Sequence, residues 1–208
     1  MTRALLLDLD GTLADSLPVM RAAYGELCRE MGFEGSDAEF DLLNGPPLLV
    51  CAAMLKQRHV LAAAAEDMVR RWFEIIEARY LSCRPAPGAA ELLETAAAHG
   101  WNRCLVTSSS RKLAGAWLRS VGFETLVPLL VAGDEVPRGK PHPDAYLAAL
   151  ALTGAEAGRS LAVEDSPAGA TAALAAGIPT RMVGAAACPP GAAAIAGLAA
   201  LLPEVSAP

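Results

Sequence analysis

The chain has 208 residues, 53% of them hydrophobic and 19% charged, with a formal net charge of -6. That length suits one domain, or one domain carrying a modest insertion, and the composition excludes a disordered chain. The negative balance argues against nucleic acid as a partner, and an anionic substrate would need positive charge gathered locally.

Five cysteines (Cys28, Cys51, Cys83, Cys104 and Cys188) are scattered without a CxxC pair, so neither a zinc site nor a disulfide framework is expected. They read as small core residues of a reducing compartment. The first apolar stretch is too short for a signal peptide and is interrupted at once by Asp8 and Asp10. The alanine-rich tract from Gly184 to Leu202 is broken by Pro189, Pro190, Gly191 and Gly197, which makes it a poor membrane span. A cytoplasmic location with no membrane partner is the expectation.

In chain order, the first strand is expected over Ala4 to Asp8. From Asp15 to Arg84 the pattern is helical throughout, with turn signals at Gly32 to Asp37 and at Asn44-Gly45-Pro46-Pro47, and no strand is evident. Residues 15–85 therefore read as an all-helical insertion into a core made of 1–14 and 86–208, with Pro85 and Pro87 marking the return. Helix and strand then alternate. Helices are expected over Gly88 to His99, Lys112 to Ser120, Pro143 to Leu152 and Ala168 to Ala176. Strands are expected over Arg103 to Thr107, Leu126 to Ala132, Ser160 to Glu164 and Pro179 to Val183. Continuous apolar strands alternating with helices imply an α/β fold, a Rossmann-like parallel sheet covered on both faces. Gly100, Gly122, Gly154 and Gly177 stand where left-handed helix ends are expected. Trp72, Trp101 and Trp117 read as core.

The chemistry gathers at strand ends, which form the ligand crevice of a parallel sheet. Asp8 and Asp10 stand two apart where the first strand runs out, and an extended chain would point both to one side. Gly11 permits a sharp turn whose backbone N–H groups can hold an anion. A calcium loop fails on spacing, because its glycine and final glutamate are missing. Thr107-Ser108-Ser109-Ser110 offers hydroxyls, which helix capping would also explain. Glu164-Asp165-Ser166 precedes Pro167 at a helix start, where acidic residues also suit the helix dipole. Lys140 sits in a loop stiffened by Gly139, Pro141 and Pro143. Gly133 to Lys140 is not a P-loop, being one residue too long and lacking the final Ser or Thr. His59 and His99 read as surface or packing residues, and His142 adjoins Lys140.

The carboxylates can hold a hard cation through oxygen, as Mg²⁺ prefers, while hydroxyl and ammonium groups can hold phosphoryl oxygens. Asp8, Asp165 and a dianionic phosphoryl group far outweigh Lys140 alone, so a divalent cation is required for the charges to balance.

The order DLDGT, TSS, GKPHPD and VEDSPAG resembles the four signature motifs of the haloacid dehalogenase-like superfamily, over residues 1–14 and about 86–184. The helical insertion resembles the small cap of its beta-phosphoglucomutase and phosphoglycolate phosphatase group. The resemblance implies that Asp8 is the nucleophile and that Asp10 is the general acid and base, its carbonyl also reaching the metal. It further implies that Thr107 and Lys140 hold the phosphoryl group, with Gly11 and Ser108 as further substrate contacts. Asp165 corresponds to the acidic Mg²⁺ ligand, with Glu164 acting directly or through water.

The implied activity is hydrolysis of a small phosphate monoester, such as a sugar phosphate or phosphoglycolate, by a monomer or weak dimer. A phosphomutase of the beta-phosphoglucomutase type is the alternative. Such mutases carry a Thr-x-x-x-His pattern after the first motif, where this chain has Ser16 and Met20. Their cap-loop arginine has no match around Asn44 to Pro47. Dehalogenation is disfavoured because Asp10 is present, and a non-enzymatic binding domain because every catalytic position is filled. Arg21, Lys56, Arg58 and Arg79 are cations available in the insertion.

Overall fold

Four consecutive buried residues, Ala4–Leu7 (β1), form the central strand around which the larger part of the chain is built. The computed structural model describes residues 2–43, 48–184 and 187–207, so the Asn44 to Pro47 turn signal lies outside the described residues. After β1 come β2 (Ala14–Asp15), α1 (Leu17–Glu30), α2 (Asp37–Leu43), α3 (Leu48–His59), α4 (Ala65–Tyr80) and β3 (Arg84–Pro85). The alternating region follows with α5 (Ala89–Ala98), β4 (Asn102–Val106), α6 (Arg111–Ser120), β5 (Leu129–Val131), α7 (Asp144–Thr153) and β6 (Leu161–Glu164). The chain closes with α8 (Pro167–Ala175), β7 (Thr180–Val183), β8 (Ala192–Ile195) and α9 (Leu202–Ser206).

Six parallel strands lie in the order β5-β4-β1-β6-β7-β8. Leu5, Leu6 and Leu7 are fully buried, and each contributes about 1.5–3 kcal/mol by leaving water. Ala4 and Leu6 meet Val106, Val131, Tyr146 and Ile178 on one face, where alanines of α7 and α8 permit close approach. The alternate residues Leu5 and Leu7 fall on the other face. The glycines after α5, α6, α7 and α8 have φ between +64° and +77°, as their positions require.

Three details differ from the sequence expectation. The sheet has a sixth strand, β8, within the alanine-rich tract. Alanine is a weak strand former, and Ala192–Ile195 is extended only because β7 offers a free edge, from Thr180↔Ala192 to Val183↔Ile195. The strand expected over Leu126 to Ala132 begins only at Leu129, since Pro128 has no N–H to give the ladder. The stretch expected to lack strands carries two short ones at its ends. Ala14 and Asp15 pair antiparallel with Pro85 and Arg84. The chain accordingly divides between Asp15 and Ser16 and between Cys83 and Arg84.

The unit Ser16–Cys83 is built from α1 to α4. Its α4 buries Met68, Trp72, Ile75, Ile76 and Tyr80, a single stripe at helical spacing. Glu39 is 4% exposed, yet fully partnered. It accepts from the Tyr24 hydroxyl at 2.5 Å and from Arg58 Nε at 3.1 Å, and meets His59 Nε2 at 2.9 Å. Burial alone would raise its pKa. The Tyr24 and His59 hydrogen bonds and the charges of His59 and Arg58 outweigh that and hold it below the ordinary value of 4.5. A carboxyl lowered in this way stabilises the fold above the ordinary value, and the contribution is lost as pH falls through the lowered one. Tyr24→Phe should therefore cost about 1–3 kcal/mol in urea titrations at neutral pH. The gap from wild type should narrow below the ordinary carboxylate range; a gap constant with pH would show that ionised Glu39 is not its source.

Candidate active site

β1 lies between β4 and β6, so the residues following all three strands share one rim. Asp8 follows β1, and its N–H still donates to Val163 O at 2.9 Å. The chain then leaves the extended form at Leu9, whose carbonyl accepts from the N–H groups of Thr12, Leu13 and Ala14 at 3.3, 3.0 and 2.8 Å. The chain does not stay extended to Asp10, the condition under which both carboxylates would point to one side, and this tight turn sets where Asp10 lies. Gly11 sits in the turn at φ +77°, and a Cβ there would stand 2.0 Å from Asp165 Oδ2. Only a glycine lets the turn and that carboxylate share the space.

The loop after β5 brings Lys140 back to β1. Its ammonium donates to Asp8 Oδ1 at 2.6 Å, to Glu164 Oε1 at 2.5 Å and to Val106 O at 3.0 Å, so all three protons are used. Arg138 and Asp144 close the loop with a two-armed ion pair of 3.0 and 2.7 Å. Glu164 is fully buried, and the Tyr146 hydroxyl donates to the same Oε1 at 2.6 Å. Its other oxygen accepts from the Ser166 hydroxyl at 3.2 Å. Ser166 also caps α8 by accepting from Gly169 N–H at 3.1 Å. A Cβ on Gly169 would lie 2.0 Å from Glu164 Oε2.

The four hydroxyls after β4 stand in different surroundings. Buried Thr107 accepts from Ser109 N–H at 3.0 Å, while Ser108 is exposed. The Ser109 hydroxyl donates to Asp10 Oδ2 at 3.1 Å. Capping of α6 falls to Ser110, whose Oγ accepts from Leu113 N–H at 3.3 Å. The sequence alternative of a capping role therefore holds for Ser110 and not for Thr107.

Negative charge is in excess here. Burial pushes the Asp8 pKa well up; Lys140 opposes this, and Glu164, Asp165 and Asp10 add to it. Burial and the Glu164 charge likewise push Asp165 up to about 6 against Lys140. Burial would lower the Lys140 pKa, but Asp8 and Glu164 hold it above its ordinary value, so the ammonium stays charged. Asp8, Glu164 and Asp165 can each offer one oxygen such that the three lie within 4.8 Å of one another. An all-oxygen set with uncompensated negative charge fits a hard divalent cation.

A family model for the haloacid dehalogenase-like hydrolases matches residues 2–177. This chain belongs to the haloacid dehalogenase-like hydrolase family. It is 35% identical over 179 residues to hexitol phosphatase A of Escherichia coli, covering 84% of this chain and 80% of that protein. It is 32% identical over 182 residues to validoxylamine A 7'-phosphate phosphatase of Streptomyces hygroscopicus, covering 86% and 84%. A solved structure from Thermotoga maritima, provisionally described as a beta-phosphoglucomutase, has a TM-score of 0.82 at 25% identity, over 98% of each chain.

In this family member the turn after β1, the ends of β4 and β6 and the loop after β5 bring together Asp8, Asp10, Gly11, Thr107, Lys140, Glu164 and Asp165. Ser108 stands at the same strand end but is exposed. Sequence reasoning missed Tyr146 and Gly169, and named Ser109 and Ser166 among the strand-end groups without giving either a role of its own. Ser166 carried a visible signal, as a serine before a helix-starting proline, and Ser109 as one of the hydroxyls at a strand end. Tyr146 was hidden inside an apolar helix. His142 is exposed, His59 pairs with Glu39 and stacks on Phe33 at 3.8 Å, and His99 meets its own helix at Thr95 O. Trp72, Trp101 and Trp117 are buried. The four cations noted in the insertion are all engaged within their own unit. Arg21 meets Asp37 and Asp41, Lys56 donates to Ala63 O, Arg58 meets Glu39, and Arg79 meets Glu26. No helix among the described residues is long and apolar enough to cross a membrane.

The crowding around Glu164 makes Gly169→Ala informative. The added methyl should displace the Glu164 carboxylate and, through Oε1, the Lys140 ammonium. Turnover of a phosphate ester should fall at least about tenfold, with a stability loss of about 1–3 kcal/mol from overpacking. Wild-type turnover in that variant would show that the position of Glu164 does not matter to the site.

Proposed function

We propose that this hydrolase cleaves small phosphate monoesters through phosphorylation of Asp8, with Mg²⁺ as its cofactor. The observation that carries the reading is the buried Lys140 ammonium, 2.6 Å from Asp8 and 2.5 Å from Glu164, beside the carboxylate of Asp165. An ammonium fixed there counters charge on an incoming phosphoryl group and keeps Asp8 aimed. Thr107, Ser108 and Lys140, one of whose protons would leave its present acceptor, would receive the phosphoryl oxygens, with Gly11, whose N–H donates to Ala14 O at 3.0 Å, shaping the turn beside them. Asp8, Asp165, the Asp10 carbonyl and Glu164 would hold Mg²⁺, which when bound offsets negative charge on the phosphoryl group. In this reading Ser16–Cys83 is the cap domain, and the unbridged cysteines suit the reducing cytoplasm.

The chemistry has two halves. An Asp8 oxygen bonds to phosphorus as the ester P–O bond breaks, and protonated Asp10 gives its proton to the departing oxygen. Asp10, now a carboxylate, takes a proton from water as the water oxygen bonds to phosphorus and the Asp8–phosphorus bond breaks. Inorganic phosphate leaves, and Asp8 and Asp10 regain their starting states.

A mutase would share the first half and then pass the phosphoryl group to a sugar hydroxyl. The likeness to the Thermotoga maritima structure favours that second reading; the absence of the Thr-x-x-x-His pattern at Ser16 and Met20 opposes it. The cap-loop positions Asn44 to Pro47 lie outside the described residues. Given sugar phosphates, the enzyme should release inorganic phosphate stoichiometrically without isomer, and Asp8→Asn should lose at least about a thousandfold in turnover because an amide cannot attack phosphorus. Isomer outrunning phosphate would make it a mutase, and an Asp8→Asn variant keeping a tenth of the rate would end the covalent mechanism.

Asp165 gives a separate check. Chelation should remove activity and Mg²⁺ restore it, and Asp165→Ala should raise the Mg²⁺ concentration for half-maximal rate at least about tenfold. Calorimetric titration of Mg²⁺ should show the same loss of affinity. Full activity in excess chelator would remove the cation from the reading.

A further inference from the structure

We infer that the alcohol part of the substrate carries no second anionic group. The substrate class is a neutral polyol or sugar monophosphate, not a phosphorylated carboxylate or a bisphosphate; this rests on the phosphatase reading above. The Lys140 ammonium serves the phosphoryl end of the ester and already lies against Asp8 and Glu164. A second anion on the same molecule needs a further cation, and most cations of the chain are held elsewhere. Residues 16–83 contain seven Lys and Arg against ten Asp and Glu, a net charge of -3. The remaining residues contain ten against thirteen, again -3.

In the helical unit Arg21, Lys56, Arg58 and Arg79 are engaged as described. Arg70 meets Asp67, and Arg71 meets Glu30 at 2.7 Å and Glu74 at 2.9 Å. The seventh cation, Arg29, stands in the last turn of α1, where it compensates the negative helix end. Glu34, Glu66 and Glu77 are exposed and have no ion-pair partner among the described residues. Most of these pairs are exposed, and an exposed pair is weak enough to exchange partners. Exchange does not favour an anionic ligand, because each cation drawn away bares a carboxylate in a unit already negative. The balance holds whichever face the unit turns to the ligand, since it belongs to the unit's own pairs. In the core, Arg111 and Arg138 are held by Glu135 and Asp144 in the same way. A polyol needs no such cation. Its hydroxyls can donate to carboxylates that would repel a second phosphate or a carboxylate.

Matched esters supply the test. 2-Hydroxyethyl phosphate and phosphoglycolate differ only in exchanging a CH2OH group for a carboxylate, as do sorbitol 6-phosphate and 6-phosphogluconate. In the second pair the exchange is at the far end of the chain and leaves the ester bond chemically alike. With Mg²⁺ present, wild type should show a kcat/KM at least about tenfold higher for the neutral member of each pair. That ratio should shrink at least about threefold between about 20 mM and about 0.5 M NaCl, because salt screens the repulsion. Comparable or faster turnover of the carboxylate members would overturn the inference. If Lys112→Ala then removed that turnover, Lys112, exposed in the first turn of α6, would be the cation that serves the second anion. A preference unchanged by salt would also overturn it, since shape and not charge would be the cause. If no ester were turned over in an Asp8-dependent way, the phosphatase reading itself would be at fault. Asp8-dependent turnover without a charge preference removes this inference alone.

Discussion

One ammonium group, that of Lys140, decides how the site is arranged. It is buried with Asp8 and Glu164, two carboxylates that would otherwise repel each other at the rim of the sheet. Removing one partner of a buried ion pair typically costs about 3–5 kcal/mol, because the remaining charges lose their compensation. The fold therefore has to deliver Lys140 reliably from a loop far along the chain. It does so with the Val106 carbonyl, which takes the third proton, and with the Arg138–Asp144 pair that closes the loop at its base.

Glu164 follows from the same constraint. Full burial is tolerable for a carboxylate only when its oxygens are satisfied. Lys140 and Tyr146 meet Oε1, and Ser166 meets Oε2. A charge balance that leaves Glu164 out understates the negative excess, since Glu164 shares the one ammonium that Asp8 relies on. This deepens the case for a divalent cation. Glu164 thereby acts as the support of the lysine, whether or not it also faces the metal.

The helical unit handles its own buried carboxylate by the same rule with different partners. Glu39 is met by Tyr24, His59 and Arg58. Its other cations noted above are engaged in the same internal manner, with Arg71 also meeting Glu30 through two contacts of 2.7 Å. Arginines in that unit thus hold helices together, and counting them as substrate contacts from sequence alone misreads their charge.

Much of the fold was legible in the sequence, for physical reasons that differ by element. Runs such as Leu5-Leu6-Leu7 and Leu161-Ala162-Val163 are apolar on both faces, which only a covered parallel sheet requires. Glycines after α5 to α8 marked helix ends because only they adopt positive φ without strain. Hidden were β8, whose alanines become a strand only beside β7, and the turn at Leu9, which rests on three N–H groups converging on one carbonyl. The local motifs determined which residue types stand at the strand ends, because apolar runs stop and polar groups begin there. The tertiary structure alone decided which oxygen meets which donor. Four consecutive hydroxyls, Thr107 to Ser110, are chemically alike in sequence, and only the tertiary packing gives Thr107, Ser109 and Ser110 different partners and leaves Ser108 exposed.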